Sequence, residues 1–241
     1  MEYLYSIFHF FVVYTACGFF LKRFDLSTRE SFCHGGWLSL CLIYFLYKIL
    51  FLVRIPEYSL YLDLILDTIF IVFIFKRSKL WKRSFKRNLT FLRTQSISTK
   101  VLLLLIAIPL LYGFALALLL SPTTIDVNAY HESRILLMQQ QGTYFLEKFN
   151  DICEVVYGLG YDLVLHNHLR FGEDRGLAIY GFISFICITG FLFNFFNEKD
   201  TKGYWYFLPA ILFLGLIEPI YQSFSAKNDL PGALACLAGF H

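Results

Sequence analysis

Six apolar stretches, each roughly 18 to 21 residues long, constrain the fold of this chain more than any other feature. As an α-helix, each stretch is long enough to cross a hydrocarbon core of about 30 Å. The composition agrees, because 57% hydrophobic and only 16% charged residues are too apolar for a soluble domain of 241 residues. The sequence therefore predicts an all-α fold, a polytopic transmembrane helix bundle. The predicted spans are 2–21, 36–53, 58–75, 101–121, 177–196 and 204–221.

A seventh apolar run begins at Leu230 and reaches the last residue, His241, after about a dozen positions, which is too short for a span. This run predicts a truncated seventh helix. We therefore expect the chain to be the amino-terminal portion of a longer protein.

Basic residues predict how the bundle is oriented in the membrane. Segment 76–100 holds nine of the 21 Lys and Arg residues and no acid, and such segments stay on the cytoplasmic side, where anionic lipids favour them. A nucleic-acid-binding patch is the alternative interpretation. Because the segment lies between two predicted spans, we expect no nucleic-acid partner. Loop 122–176, between spans four and five, is then extracytoplasmic.

Two acids lie within the third predicted span. Asp63 and Asp67 are four residues apart and so share one face of the helix. Lys48, in the second span, lies at a similar depth, which predicts an ion pair between Lys48 and Asp63 across the helical hairpin. The alternative is a small transporter that uses Lys48, Asp63 and Asp67 as an ion or proton path.

Loop 122–176 carries polar residues at helical spacing. Asp126, Tyr130 and Arg134 follow at intervals of four, so they form one stripe if 127–141 is a helix that stops at Gly142. An acid, a phenol and a guanidinium would then face one place. Asp126 has a second interpretation as the N-cap of that helix, a position where short acids are favoured.

Two histidines later in the loop raise the question of a metal. His166 and His168 are two residues apart, and side chains at that spacing do not converge on a helix. No CxxC or HExxH pattern accompanies them. The sequence therefore predicts no metal site. A divalent cation as cofactor stays open, without a clear ligand set.

Three stretches resemble bacterial membrane glycosyltransferases of the GT-C type. DVNAYHESRILLMQQQGT is similar to the first outer loop of that group, through Asp126, Tyr130, His131 and Arg134. LVLHNHLRFGEDR resembles a second stretch and EPIYQSFSAKNDL a third. The matching residues of these two stretches are Leu163, Leu165, His166, Gly172, Asp174 and Arg175, then Pro219, Gln222, Ser225, Asn228, Asp229 and Leu230.

The chain also departs from the group. Val127 follows Asp126 where related protein mannosyltransferases carry Glu, so the resemblance assigns one catalytic acid and leaves a second in doubt. Asp162 stands one position late relative to an Ala-Glu pair of the group. The resemblance covers 101–241, which would be the amino-terminal part of a GT-C catalytic core, and 1–100 would be an added three-helix bundle with a basic cytoplasmic loop.

The resemblance implies a multi-pass enzyme of the bacterial inner membrane, with its active site at the outer face. Its partners would be the lipid bilayer, a polyprenyl-phosphate sugar donor and a cell-envelope acceptor. Asp126 would be the base that takes a proton from the acceptor during direct displacement at the anomeric carbon. A non-catalytic membrane scaffold or remnant is the alternative. The resemblance assigns substrate binding to Tyr130, His131, Arg134, His166, Asp174, Gln222, Asn228 and Asp229.

Overall fold

The computed structural model describes residues 2–24, 26–94, 96–122, 131–145, 161–198 and 208–240. Within these ranges it contains ten α-helices and no strand, which confirms the all-helical prediction. The helices are α1 (Glu2–Leu21), α2 (Thr28–Leu52), α3 (Ser59–Thr94), α4 (Ile97–Leu119), α5 (Glu132–Gln141), α6 (Asp162–Leu169), α7 (Ile179–Glu198), α8 (Leu208–Gly215), α9 (Ile217–Ser223) and α10 (Asp229–Phe240).

Among the described residues, three helical segments are long and apolar enough to cross a membrane. They coincide with the first three predicted spans, apart from Val53 at the end of the second. The third segment continues as one helix into the basic segment, because α3 ends only at Thr94. Shorter apolar segments coincide with the fourth and fifth predicted spans and with the final apolar run. The three long segments are Glu2–Phe24, Thr28–Leu52 and Pro56–Arg77, and the shorter ones are Leu103–Leu119, Ile179–Asn194 and Asp229–Phe240.

The sixth predicted span, 204–221, is interrupted in its described part. α8 ends at Gly215, Leu216 has an extended backbone (φ −77°, ψ 130°), and α9 begins at Ile217. Pro219 explains the break, because it has no N–H for the carbonyl of Gly215 and its ring would clash with that carbonyl in a continuous helix. The apolar run therefore ends as two short helices.

Between Leu64 and Phe75 of α3 and between Leu104 and Leu111 of α4, most exposed side chains are apolar. A soluble monomer rarely exposes so continuous an apolar surface, which is typical of helices in contact with lipid. This surface agrees with membrane association through the long apolar helices. The exposed side chains include Leu64, Ile65, Ile69, Val72 and Phe75 on α3 and Leu104, Leu105, Ile108 and Leu111 on α4.

Small residues and one polar contact hold α2 against its neighbours. A Cβ atom added to Gly35 would lie 2.9 Å from the backbone nitrogen of Gly18, so α1 and α2 approach as closely as their backbones allow. Near the start of α2, the Arg29 guanidinium donates to the Asn194 side-chain oxygen of α7 (3.0 Å). α2 is therefore packed between α1 and α7.

The opposite end of the bundle, which we call the loop end, is where α1 and α3 begin and α2 and α4 end. Ser6 of α1 donates a hydrogen bond to the backbone carbonyl of Asn167 in α6 (2.5 Å). Ser121, just after α4, donates to the Asp174 carboxylate (2.7 Å). All eight residues of α6 are buried. The described part of loop 122–176 therefore lies against the loop end, with α6 enclosed between the helices.

Candidate functional site

A buried ion pair joins the first of the three stretches singled out in the sequence to Asp162, the residue directly before the second stretch. The Asp162 carboxylate at the start of α6 contacts the His131 ring through one oxygen, and its other oxygen lies 2.7 Å from the Arg134 guanidinium. All three side chains are fully enclosed. We call His131, Arg134 and Asp162, together with Ser121, Glu132 and Asp174, the loop cluster.

The sequence of α5 explains why His131 and Arg134 point inward. His131, Arg134, Ile135 and Met138 are all buried, and their spacing of three and four places them on one face of a helix. Gly142 ends the helix in the left-handed conformation (φ 61°), as its sequence position predicts. α5 therefore packs a mixed polar and apolar face against α6.

Glu132 and Asp174 form the more accessible part of the loop cluster. Asp174 accepts the hydrogen bond from Ser121. Burial raises the pKa of the Glu132 carboxyl to about 7, and the neighbouring Asp174 charge adds to the effect. A carboxyl with a pKa near neutrality can give or take a proton at working pH. Glu132 is half-buried, so this proton can exchange with solvent.

His166 lies deep between α5 and the turn that joins α2 to α3. Its Nδ1 atom is 3.0 Å from the Gln139 amide nitrogen and its Nε2 atom 3.4 Å from the Ser59 hydroxyl. The rings of Tyr47 and Phe51 pack edge-on against the imidazole. Burial, with a smaller effect of the Arg170 charge, lowers the pKa of His166 to about 3. His166 is therefore a neutral, enclosed ring.

The third stretch packs against the start of α7. Gly181 lies so close to this stretch that a Cβ atom there would be 3.0 Å from the carbonyl oxygen of Ser225 and 3.3 Å from that of Gln222. The Gln222 amide donates to the Glu218 carboxylate (2.9 Å). Asn228 and Asp229 are exposed. Since the second stretch ends at Arg175, shortly before α7 begins at Ile179, all three stretches reach the loop end of the bundle.

A second buried cluster joins the amino-terminal helices to the loop. The Asp63 carboxylate of α3 lies 2.5 Å from the Arg170 guanidinium and accepts a hydrogen bond from the Tyr47 hydroxyl (2.8 Å). His9 of α1 faces both acids, with Nε2 3.5 Å from Asp63 and Nδ1 2.9 Å from Asp67. The side chains of His9, Asp63, Asp67 and Arg170 are almost entirely enclosed.

Asn167 connects this second cluster to the backbone of α1. Its amide nitrogen donates to the Ser6 carbonyl and to the Tyr180 hydroxyl (both 2.9 Å), and its oxygen accepts from Arg170 (3.0 Å). His168 Nδ1 lies 2.9 Å from the same Tyr180 hydroxyl. We call His9, Tyr47, Asp63, Asp67, Asn167 and Arg170 the bundle cluster.

The predicted pair of Lys48 with Asp63 is wrong. Lys48 donates instead to the Tyr44 hydroxyl (3.0 Å) on its own helix, and the cation facing Asp63 is Arg170. Two residues at the same depth in the membrane can still point in different directions around their helix axes. Tyr47, one residue before Lys48 and about 100° around α2, is the residue that faces Asp63. The prediction that Asp63 and Asp67 share a face is confirmed, because both face His9.

Sequence reasoning missed three residues that organise the site. Asp162 was visible only as an acid out of register with the GT-C pattern, and Arg170 and Asn167 carried no signal beyond their polarity in a loop. Their roles follow from contacts across the fold. Asp126 and Tyr130, by contrast, lie outside the described residues.

In the described ranges, no group of three or more His, Cys, Asp or Glu side chains could hold a metal ion. His166 and His168 instead contact protein groups. No protein-family model matches the chain, and neither a curated protein nor a solved structure shows significant similarity to it.

Proposed function

We propose that this protein is a membrane glycosyltransferase that transfers a sugar from a polyprenyl-phosphate donor to a cell-envelope acceptor. The proposal places it as a multi-pass protein of the bacterial inner membrane, with loop 122–176 on the extracytoplasmic side. The basic segment 76–100 supports that orientation.

One observation carries the proposal. Three stretches that resemble the GT-C group, separated by many residues along the chain, meet at one end of the helix bundle. The first and second are joined by Gln139, whose amide nitrogen lies 3.0 Å from His166 Nδ1. Asp162, directly before the second stretch, also faces His131 and Arg134 of the first, and the third stretch packs on the start of α7 at Gly181. An active site built from separated segments needs this convergence.

The geometry divides the proposed roles between buried and accessible residues. Arg134 and His131 are enclosed against Asp162, so their role in the proposal is to hold α5 and the segment that precedes it, which carries Asp126. Arg175, Asn228 and Asp229 are exposed at the loop end. In the proposal Arg175 supplies the cation that stabilises charge on the departing lipid phosphate.

The proposed reaction is a single displacement. The Asp126 carboxylate accepts the proton of the acceptor hydroxyl or amine as that group bonds to the anomeric carbon. The bond from the anomeric carbon to the phosphate oxygen breaks, and the phosphate keeps the electron pair. One displacement inverts the anomeric configuration and needs no covalent sugar intermediate.

The transporter alternative receives less support from the structure. Asp63 and Asp67 are enclosed and already paired with Arg170, His9 and two tyrosines. Acids of a transport path must instead reach a water-filled cavity.

Asp126→Asn tests the proposed function. The protein as its gene encodes it would be placed in lipid vesicles with polyprenyl-phosphate sugars and cell-envelope acceptors, and transfer per folded molecule would be measured. Loss of a general base predicts a fall of about 10²- to 10⁴-fold with normal folding. If Asp126 is only an N-cap, Asn replaces it with little change.

Glu57→Gln is the matched control, because Glu57 is an exposed acid in the turn before α3. Full transfer by the Asp126→Asn protein would remove the assigned base. Absence of transfer by the unaltered protein, with every donor offered, would favour the non-catalytic scaffold.

A further inference from the structure

The bundle cluster connects every helix of the amino-terminal bundle to one short piece of the loop. His9 belongs to α1, Tyr47 to α2 and Asp63 to α3, whereas Asn167 and Arg170 lie at the end of α6. Helices α1 to α3 fall outside the part of the chain that resembles a glycosyltransferase. Their most enclosed polar groups nevertheless face a residue within the second resembling stretch.

Arg170 is held by several partners at once. Its guanidinium contacts the Asp63 carboxylate (2.5 Å) and the Asn167 side-chain oxygen (3.0 Å), and the Phe171 ring lies 4.8 Å from its central carbon. A planar guanidinium fixes direction as well as charge, which a lysine ammonium does not. Removing the anion of a buried guanidinium also leaves an uncompensated buried charge, which is strongly destabilising. These contacts fix the position of Arg170 relative to α3.

Helix α6 connects Arg170 to the loop cluster. Its first residue, Asp162, holds α5 through Arg134, and Arg170 caps its other end, with the backbone N–H bonded to the His166 carbonyl (3.1 Å). Four residues after Arg170, Asp174 accepts the hydrogen bond from Ser121. A displacement of Arg170 would therefore displace both sides of the loop cluster.

We propose that Arg170 is a positioning residue, and that α1 to α3 belong to the working enzyme because Asp63 anchors the outer loop through Arg170. This inference rests on the proposed function for its catalytic consequence. Its structural part, the anchoring of 161–176 by Asp63, can be measured without any substrate.

The test compares Asp63→Asn, Arg170→Gln, Arg170→Lys and the double variant Asp63→Asn/Arg170→Gln in the full protein in vesicles. Amide hydrogen exchange of 161–176 reports how the loop is held, and kcat and KM for the lipid-linked donor are measured per folded molecule. Glu57→Gln and Arg54→Gln are the controls, because both residues are exposed at the same end of the bundle.

We expect Asp63→Asn to speed exchange across 161–176 and to lower kcat at least about tenfold, with KM changed less than about twofold, since a small displacement near reacting groups costs rate. The double variant should recover part of both losses, because it removes the two charges of the Asp63–Arg170 pair together and does not leave one of them alone. Arg170→Lys should not keep the slow exchange and the kcat of the unaltered protein, because one ammonium group cannot make all the contacts of the planar guanidinium.

Several results would overturn the inference. One is a kcat per folded molecule and an exchange rate in Asp63→Asn equal to those of the Glu57→Gln control. Another is an equal loss in the single and double variants. If Asp63→Asn does not fold, Tyr47→Phe replaces it: this change removes the hydrogen bonds from the Tyr47 hydroxyl to Asp63 and to Asn167 and keeps every charge. Exchange as slow as in the unaltered protein would then count against anchoring.

The two proposals can fail separately. If the unaltered protein transfers no sugar, the proposed function fails and the exchange measurements alone decide the anchoring. Faster exchange in Asp63→Asn, reversed in the double variant, would then still support the anchoring of the loop by α3.

Discussion

The loop cluster and the bundle cluster both bury a guanidinium against a carboxylate, but their residues are separated by very different distances along the sequence. Asp162 lies within 31 residues of His131 and Arg134, all inside one loop. The bundle cluster joins His9, Asp63 and Arg170, whose positions span most of the chain. Local spacing can reveal the first kind of cluster, whereas only the packing of whole helices produces the second.

The two clusters also balance their charges differently. In the bundle cluster two carboxylates, Asp63 and Asp67, share the contacts of Arg170 and His9. In the loop cluster one carboxylate, Asp162, faces both His131 and Arg134. Removing one acid should therefore disturb the loop cluster more than the bundle cluster.

The largest expected effect tests that difference directly. Asp162→Asn keeps the shape of the side chain but removes the negative charge beside the enclosed Arg134, a change that costs about 3–5 kcal/mol of unfolding free energy. Asp67→Asn should cost less, because Asp63 still faces both Arg170 and His9. Thermal or denaturant unfolding of the two variants in detergent measures both. Equal losses of unfolding free energy in the two variants would show that the loop cluster does not depend more on one acid than the bundle cluster does.

A smaller effect is expected from pH, through His166, which lies on α6 between the two clusters. Its folded-state pKa, about 3, is below the ordinary value of 6.5, so the unfolded chain binds the proton more readily. The stability is present above pH 6.5 and is lost as pH falls toward 3. At pH 5 the loss from this residue is about 2 kcal/mol.

His166→Gln removes this titration while it keeps a polar side chain near Gln139 and Ser59. The thermal midpoint of the variant should therefore fall less between pH 7.5 and pH 5 than that of the unaltered protein. His34→Gln is a control, because His34 is a half-buried histidine on α2 that packs against Phe191. If the thermal midpoint of His166→Gln falls as much between pH 7.5 and pH 5 as that of the unaltered protein, His166 is not an enclosed, neutral ring.

The sequence predicted those features that depend on composition and local spacing. Apolar length predicted α1, α2 and α3, the Gly142 position predicted the end of α5, and the four-residue spacing of Asp63 and Asp67 predicted their common face. Each of these follows from backbone geometry within one helix.

Features that depend on rotation between helices were not predictable. Lys48 and Asp63 matched in depth, yet Tyr47 is the residue of α2 that faces the acid. The partner of Asp63, Arg170, lies more than a hundred residues further along the chain and belongs to a loop without apolar periodicity. Hydropathy assigns no direction to such a side chain, so its place in the bundle cluster is known only from the fold.

The smallest expected effect concerns Glu132, the accessible acid of the loop cluster, and has the opposite sign to that of His166. Burial and the nearby Asp174 raise the pKa of Glu132 from 4.5 to about 7, so the folded protein binds the proton more readily than the unfolded chain. This favours the folded state below pH 4.5, and the advantage is lost as pH rises through 7. Because the side chain is half-exposed, solvent screening should keep the effect below about 1 kcal/mol.

Glu132→Gln cannot ionise, so the difference in unfolding free energy between this variant and the unaltered protein should shift in favour of the variant from pH 4.5 to pH 8. Glu57→Gln, a change at an exposed acid, is measured in parallel as the control for the loss of one carboxylate from the surface. A difference that stays constant for Glu132→Gln would show that burial does not raise the pKa of its carboxyl. In that case Glu132 would not exchange a proton near neutral pH, and the loop cluster would be held by the contacts of Asp162 and Asp174, as the bundle cluster is held by those of Asp63 and Asp67.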